Sequence, residues 1–97
     1  MCQEITAPEF QSKLFRGDDI FMLDVREIEE YRSGHVEGSV LIPVGVLPHL
    51  IPDVDKQREV IIMCRSGNRS QEACQILQQR GFTNVKSLQG GLTALSA

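Results

Sequence analysis

The chain has no tryptophan and only five phenylalanine and tyrosine side chains in 97 residues, so its core has to be built mainly from aliphatic groups. It has no apolar run near the roughly 18 to 20 residues of a membrane-spanning helix. Its first residues, MCQEITAPEF, have neither the basic start nor the apolar stretch of a signal peptide. The cytoplasm is therefore the expected compartment, with no membrane partner. Positive charge is not in excess either: 10 Lys and Arg against 13 Asp and Glu give a net charge of −3, the wrong sign for a dedicated nucleic-acid binder. Close pairs of metal ligands are missing too. The three cysteines, Cys2, Cys64 and Cys74, and the two histidines, His35 and His49, show no CxxC or HxxxH spacing. Neither a zinc site nor a disulfide framework is expected, and no cofactor.

What is present is an ordinary globular composition, 41% hydrophobic and 24% charged, in a length that suits one domain over residues 1–97 acting as a monomer. The pattern alternates strands and helices. Thr6-x-x-Glu9 is a capping box opening a short helix that ends near Gly17, with Phe10 and Leu14 on one face. Ile20 to Val25 is an apolar run too short for a helix, and so a buried strand. Glu27 to Ser33 predicts a two-turn helix stopped by Gly34, and Ser39 to Ile42 a further short strand. Pro43, Gly45 and Pro48 break up the stretch to Leu50. Glu59 to Met63, EVIIM, is the most β-branched segment and the best candidate for a central parallel strand. A helix is expected from Ser70 to Arg80, with Gly81 as its left-handed stop and Phe82 folding back onto Leu77 in a Schellman motif. Val85 to Leu88 is the last strand, and Gly90-Gly91 leads into a terminal helix cut short at Ala97. This order predicts an α/β fold, a central, mostly parallel sheet with helices on both faces.

In such folds ligands sit beyond the carboxyl ends of the strands. That rule points to the Asp24-Val25-Arg26 turn and to the loop Cys64-Arg65-Ser66-Gly67-Asn68-Arg69 with Ser70 after it. A cysteine there faces converging loop N–H groups, the positive end of a helix and two arginines, and each favours thiolate over thiol. Cys64 is thus expected to be a nucleophile without a histidine base. Cys74 falls on the helix face of Leu77 and is expected in the core, with no spacing that brings it to Cys64 as a resolving thiol; Cys2 is expected to fray with the terminus. Neither His35 nor His49 is linked to Cys64 by spacing. Asp24 and Arg26 are expected to brace the neighbouring loops rather than touch substrate.

Leu23-Asp24-Val25-Arg26, then Glu29-Glu30-Tyr31, Gly34-His35-Val36-x-Gly38-Ser39 and Ile42-Pro43, together with the Cys64 to Ser70 loop and Gly90-Gly91, resemble the signature of the rhodanese family over nearly the whole chain. The resemblance implies a rhodanese-like domain and sulfurtransfer. Cys64 would accept sulfane sulfur as a persulfide from thiosulfate or another donor, and hand it to cyanide or to a thiol, including a protein thiol. Loop residues Arg65, Ser66, Gly67, Asn68, Arg69 and Ser70 would hold the anionic donor and the persulfide. The rival chemistry is a phosphatase or arsenate reductase of related fold. Cysteine phosphatases carry Cys-x5-Arg, and the shorter Cys-x4-Arg spacing of Cys64 and Arg69 favours sulfur over a tetrahedral phosphate. A third reading is a carrier or docking module, although such members are expected to have lost the cysteine. The family often places a tryptophan in its last helix, where this chain has Leu95, so that helix is expected to be under-anchored.

Overall fold

Thr6 opens the first helix as its sequence predicts: its hydroxyl accepts from the Glu9 N–H, and the Glu9 carboxylate accepts from the Thr6 N–H, closing a capping box over α1 (Ala7–Arg16). The computed structural model describes residues 2–95. Around α1 the chain forms β1 (Gln3–Ile5), β2 (Ile20–Asp24), α2 (Ile28–Ser33), β3 (Val40–Leu41), β4 (Glu59–Met63), α3 (Asn68–Gln79) and β5 (Val85–Leu88). Single 3-10 turns occupy Leu47–His49 and Gly91–Leu95. All five strands are parallel, in the order β1-β5-β4-β2-β3. The EVIIM strand is the central one.

Its side chains show why it lies there. From Val60 to Met63 every residue is buried, and successive residues feed opposite faces of the sheet. Val60 and Ile62 join Leu23, Val25, Ala73, Leu77 and Phe82 beneath α3. Ile61 and Met63 join Ile5, Phe10 and Leu88 beneath α1, with Leu92 and Leu95 packed against them. Helices therefore cover both faces. The end of α3 is a full Schellman motif: Phe82 N–H donates to the Leu77 carbonyl at 3.1 Å and Gly81 N–H to that of Gln78 at 3.1 Å. Gly81 has φ +93°, which a side chain would resist, and Phe82 is buried in the Leu77 cluster.

Several expectations need correction. The strand β1 has no signal of its own in three residues and forms because β5 offers an edge, Gln3 to Ile5 pairing with Lys86 to Leu88. That pairing sets Cys2 beside α3, and Cys2 and Cys74 form a disulfide, Cα to Cα 6.0 Å. The segment expected to fray is instead covalently tied to a buried helix face. Leu14 shares the helix face of Phe10 as expected, yet Phe10 is buried and Leu14 exposed. The helix after the cysteine loop starts at Asn68, not Ser70, and the terminal helix is a 3-10 turn anchored through Leu92 and Leu95. Its expected end at Ala97 lies outside the described residues. No described helix is long and apolar enough to cross a membrane.

Candidate active site

Cys64 directly follows the central strand, and its side chain is buried. The loop Cys64 to Gly67 turns over it into α3, whose first turn holds no acidic residue to offset the positive end of the helix. Gly67 N–H donates to Cys64 Sγ at 3.0 Å, so at least one loop amide is aimed at the sulfur. Ser70 Oγ lies 3.7 Å from the same atom. That hydroxyl is fixed in turn, donating to the Gly67 carbonyl at 2.9 Å and lying 2.6 Å from Ser87 Oγ, with both serines fully buried. A polar pair inside an apolar core is satisfied only by its own partners, so the Ser70–Ser87 contact pins α3 to β5 just below the sulfur.

The other side of the loop rests on the turn after β5. Leu92 N–H donates to the Cys64 carbonyl at 2.8 Å and Thr93 N–H to that of Arg65 at 3.1 Å. Gly91, with φ +63°, lets the two backbones touch: a Cβ there would stand 2.4 Å from the Arg65 carbonyl oxygen. The paired glycines of the sequence are thus a seat for the cysteine loop.

The two loop arginines behave differently from each other. Arg69 is not a free cation. Its guanidinium grips the Glu30 carboxylate with both prongs, Nη1 to Oε1 at 2.6 Å and Nη2 to Oε2 at 2.9 Å. The pair keeps Arg69 charged, and the same hydrogen bonds, followed by the Glu27 N–H, hold the Glu30 carboxyl down at about 2. Arg65 is exposed and forms no ion pair with a described carboxylate. The two positive charges expected at the loop reduce to one uncompensated cation. Ser66 and Asn68 are exposed on the loop and helix start.

Asp24 and Arg26 meet as a buried fork. Arg26 Nε and Nη2 donate to the Asp24 carboxylate at 3.0 and 2.8 Å, and Nη2 also donates to the Gly34 carbonyl at 2.8 Å. Asp24 is fully buried, so each partner depends on the other, and the fork fixes the end of β2 against the α2 to β3 connection. That connection explains the remaining motif residues. Tyr31 OH donates to the Ser39 carbonyl at 2.6 Å, while the His35 ring stacks on Tyr31 at 3.8 Å and its Nδ1 lies 2.9 Å from the Tyr31 carbonyl. Between this connection and the turn after β5 lies an open groove of about 250 Å³, lined by Arg26, His35, Val36, Leu92 and Leu95 among others. It adjoins the cysteine loop through Leu92.

Sequence reasoning missed Ser87, Gly91 as a seat, and the role of Glu30. Ser87 carried a weak signal, one small polar residue in an otherwise apolar strand position. Glu30 stands in the family-like motif, but nothing local ties it to Arg69, 39 residues away.

A family model described as a rhodanese-like domain matches residues 6–97. A protein named sulfurtransferase from Allochromatium vinosum is 33% identical over 97% of this chain and 88% of its own length. The thiosulfate sulfurtransferase GlpE of Pseudoalteromonas translucida is 32% identical over 88% of this chain and 81% of its own. Among solved structures, a rhodanese-like domain protein from Staphylococcus aureus superposes with TM-score 0.88 at 28% identity, over 95% of this chain and 89% of that one. The human single-domain sulfurtransferase TSTD1 gives the same TM-score of 0.88 at 24% identity, over 99% and 96%, and so speaks to the fold.

Proposed function

This chain belongs to the rhodanese family, and on that footing we propose that it moves sulfane sulfur from a donor such as thiosulfate to cyanide or a thiol acceptor through a persulfide on Cys64. Sulfurtransferase activity in general follows from its relatives; donor, acceptor and intermediate are our reading. The observation that carries it is the placing of Cys64: a buried sulfur at the end of the central strand, with the Gly67 N–H on it and the start of α3 above it.

The chemistry needs little more. The Cys64 thiolate attacks the outer sulfur of thiosulfate, the sulfur–sulfur bond breaks, and sulfite leaves with the electron pair as a stable anion, so no general acid is required. The persulfide is itself anionic, and loop N–H groups and the helix start favour it in that form. Cyanide or a thiolate then attacks the terminal sulfur and returns Cys64 to the thiolate. Arg65 faces solvent and is the group suited to draw an anionic donor in; the Asp24–Arg26 fork supports the site from behind. The tie between Arg69 and Glu30 also argues against phosphatase chemistry, because the fork that would clasp a phosphate already holds a carboxylate.

We keep the cytoplasm as the proposed compartment. Intact mass of chain purified with thiols blocked at lysis reads whether the Cys2–Cys74 bridge stands there against a reducing thiol pool. For the activity, incubation with thiosulfate should add one sulfur, about 32 Da, to the chain, and Cys64→Ser should abolish both the mass gain and thiocyanate formation while leaving the fold intact. Full activity in that variant would refute the assignment.

A further inference from the structure

Three guanidinium groups, of Arg26, Arg65 and Arg69, belong to the carboxyl end of the sheet, yet two are already matched by carboxylates. Arg26 is held by Asp24 and Arg69 by Glu30. We propose that Glu30 is a specificity-determining residue of the sulfur-donor site: by gripping Arg69 it leaves Arg65 as the one uncompensated cation among the described loop residues, and so tunes the site toward donors of low charge, such as alkyl persulfides and thiosulfonates, over doubly charged thiosulfate. This rests on the reading that the Cys64 loop takes up sulfur and names the charge class of donor it prefers.

The Glu30 carboxylate is held from two directions, which is what makes it a fixed element of the site. Its Oε1 accepts from Arg69 Nη1 and also from the Glu27 N–H at 3.0 Å, in a capping box that begins α2. Releasing Arg69 would therefore break an ion pair and leave the position of the carboxylate unchanged. Both partners are about one-third exposed, at 32% and 30% of their side chains, and Arg69 sits in the first turn of α3 directly after the cysteine loop, so the charges of the pair are open to solvent on the helix start that follows Cys64. Arg69 is also within electrostatic reach of the sulfur: after Glu30, the charge on Cys64 is among those that favour its cationic form. Glu30 remains ionised through any ordinary assay.

The test compares thiosulfate, with two charges, and the methanethiosulfonate anion, with one. In both, the thiolate takes the outer sulfur, the sulfur–sulfur bond breaks, and sulfite or methanesulfinate leaves with the electron pair. Removing the negative charge that offsets Arg69, in Glu30→Gln, should lower KM for thiosulfate by about 3- to 10-fold and for methanethiosulfonate by about 2- to 3-fold. The effect should fall in KM rather than kcat and shrink as ionic strength rises. Arg69→Gln, which strips the cation and leaves Glu30, should move the donor ratio the other way, and Glu30→Gln with Arg69→Gln should return it toward wild type. Opposite shifts from two variants cannot come from a shared loss of structure. On a Cys64→Ser background, calorimetry should show thiosulfate binding tightened by the same factor in Glu30→Gln, a reading independent of turnover. Equal changes for both donors, a loss confined to kcat, or unaltered thiosulfate binding would overturn the proposal and leave Glu30 a structural tie. A wild-type chain that takes no sulfur from either donor, with binding shifted as expected, would instead refute the Cys64 reading and leave the charge inference standing.

Discussion

At the scale of single residues, the Glu30–Arg69 pair links charge to stability as well as to the donor. The Glu30 carboxyl sits at about 2 in the folded chain against an ordinary 4.5, through Arg69 first and the Glu27 N–H second. A carboxyl lowered by folding stabilises the native state fully above its ordinary value, and that contribution drains as the pH falls toward the folded value. The urea midpoint of wild type should therefore fall relative to that of Glu30→Gln as pH drops from about 4.5 to about 2, and the gap between them should be flat above pH 6. An unchanging gap throughout would mean that the pair contributes nothing to folding. The pair is partly exposed, so its effect should also weaken with salt.

At the scale of elements, the site is a meeting of three chain segments: the loop after β4, the start of α3, and the turn after β5. Gly91 is the point where the first and last touch. Gly91→Ala would drive a methyl group to 2.4 Å from the Arg65 carbonyl oxygen and ask a side chain to adopt φ +63°. It should cost several kcal/mol in stability, at the upper end for single substitutions, and disable the loop. Gly45→Ala, where a methyl meets open space, is the matched control in both urea melts and sulfurtransfer assays.

The elements that sequence made legible are those whose signals are local. The buried run at Glu59–Met63, the Gly81-Phe82 stop of α3 and the Thr6 capping box each declare themselves within a few residues, and each stands as expected. The loop with Cys64 was legible for the same reason. What stayed hidden depends on sheet order. The strand β1 is too short to show a period and exists through β5; Glu30 meets Arg69 because β2 and β4 are neighbours; Cys2 reaches Cys74 because β1 closes against β5. No spacing rule carries such contacts, since a tertiary neighbour can lie at any separation.

At the scale of the whole molecule, the bridge between Cys2 and Cys74 closes 72 residues of chain and encloses four strands, two helices and the cysteine loop. A link over that span typically stabilises a fold by about 2 to 4 kcal/mol, chiefly by restricting the unfolded chain. Treatment with a reducing dithiol should lower the urea midpoint of wild type by a corresponding amount and leave that of Cys2→Ser where it was. Equal midpoints with and without reductant in wild type would show that the bridge is not formed in solution or does not bear on folding. The buried position of Cys74 predicts that this reduction is slow in the native state, because a thiol has to reach the bridge through Cys2, the more accessible partner.

The same bridge changes how the chain carries force. Parallel pairing of β1 with β5 already puts the first and last strands side by side, so a pull on the two ends loads their hydrogen bonds in shear, all at once, instead of peeling them one by one. With the disulfide intact, tension entering at Cys2 passes straight into α3, and the loop from residue 2 to 74 cannot lengthen at all. Roughly 250 Å of chain, 72 residues at about 3.5 Å each, is thereby withheld from extension until the bridge is reduced. In the oxidised protein, stretching can draw out only the segment beyond Cys74, which places β5 and the Gly91 seat under load and shields Cys64 and its strand.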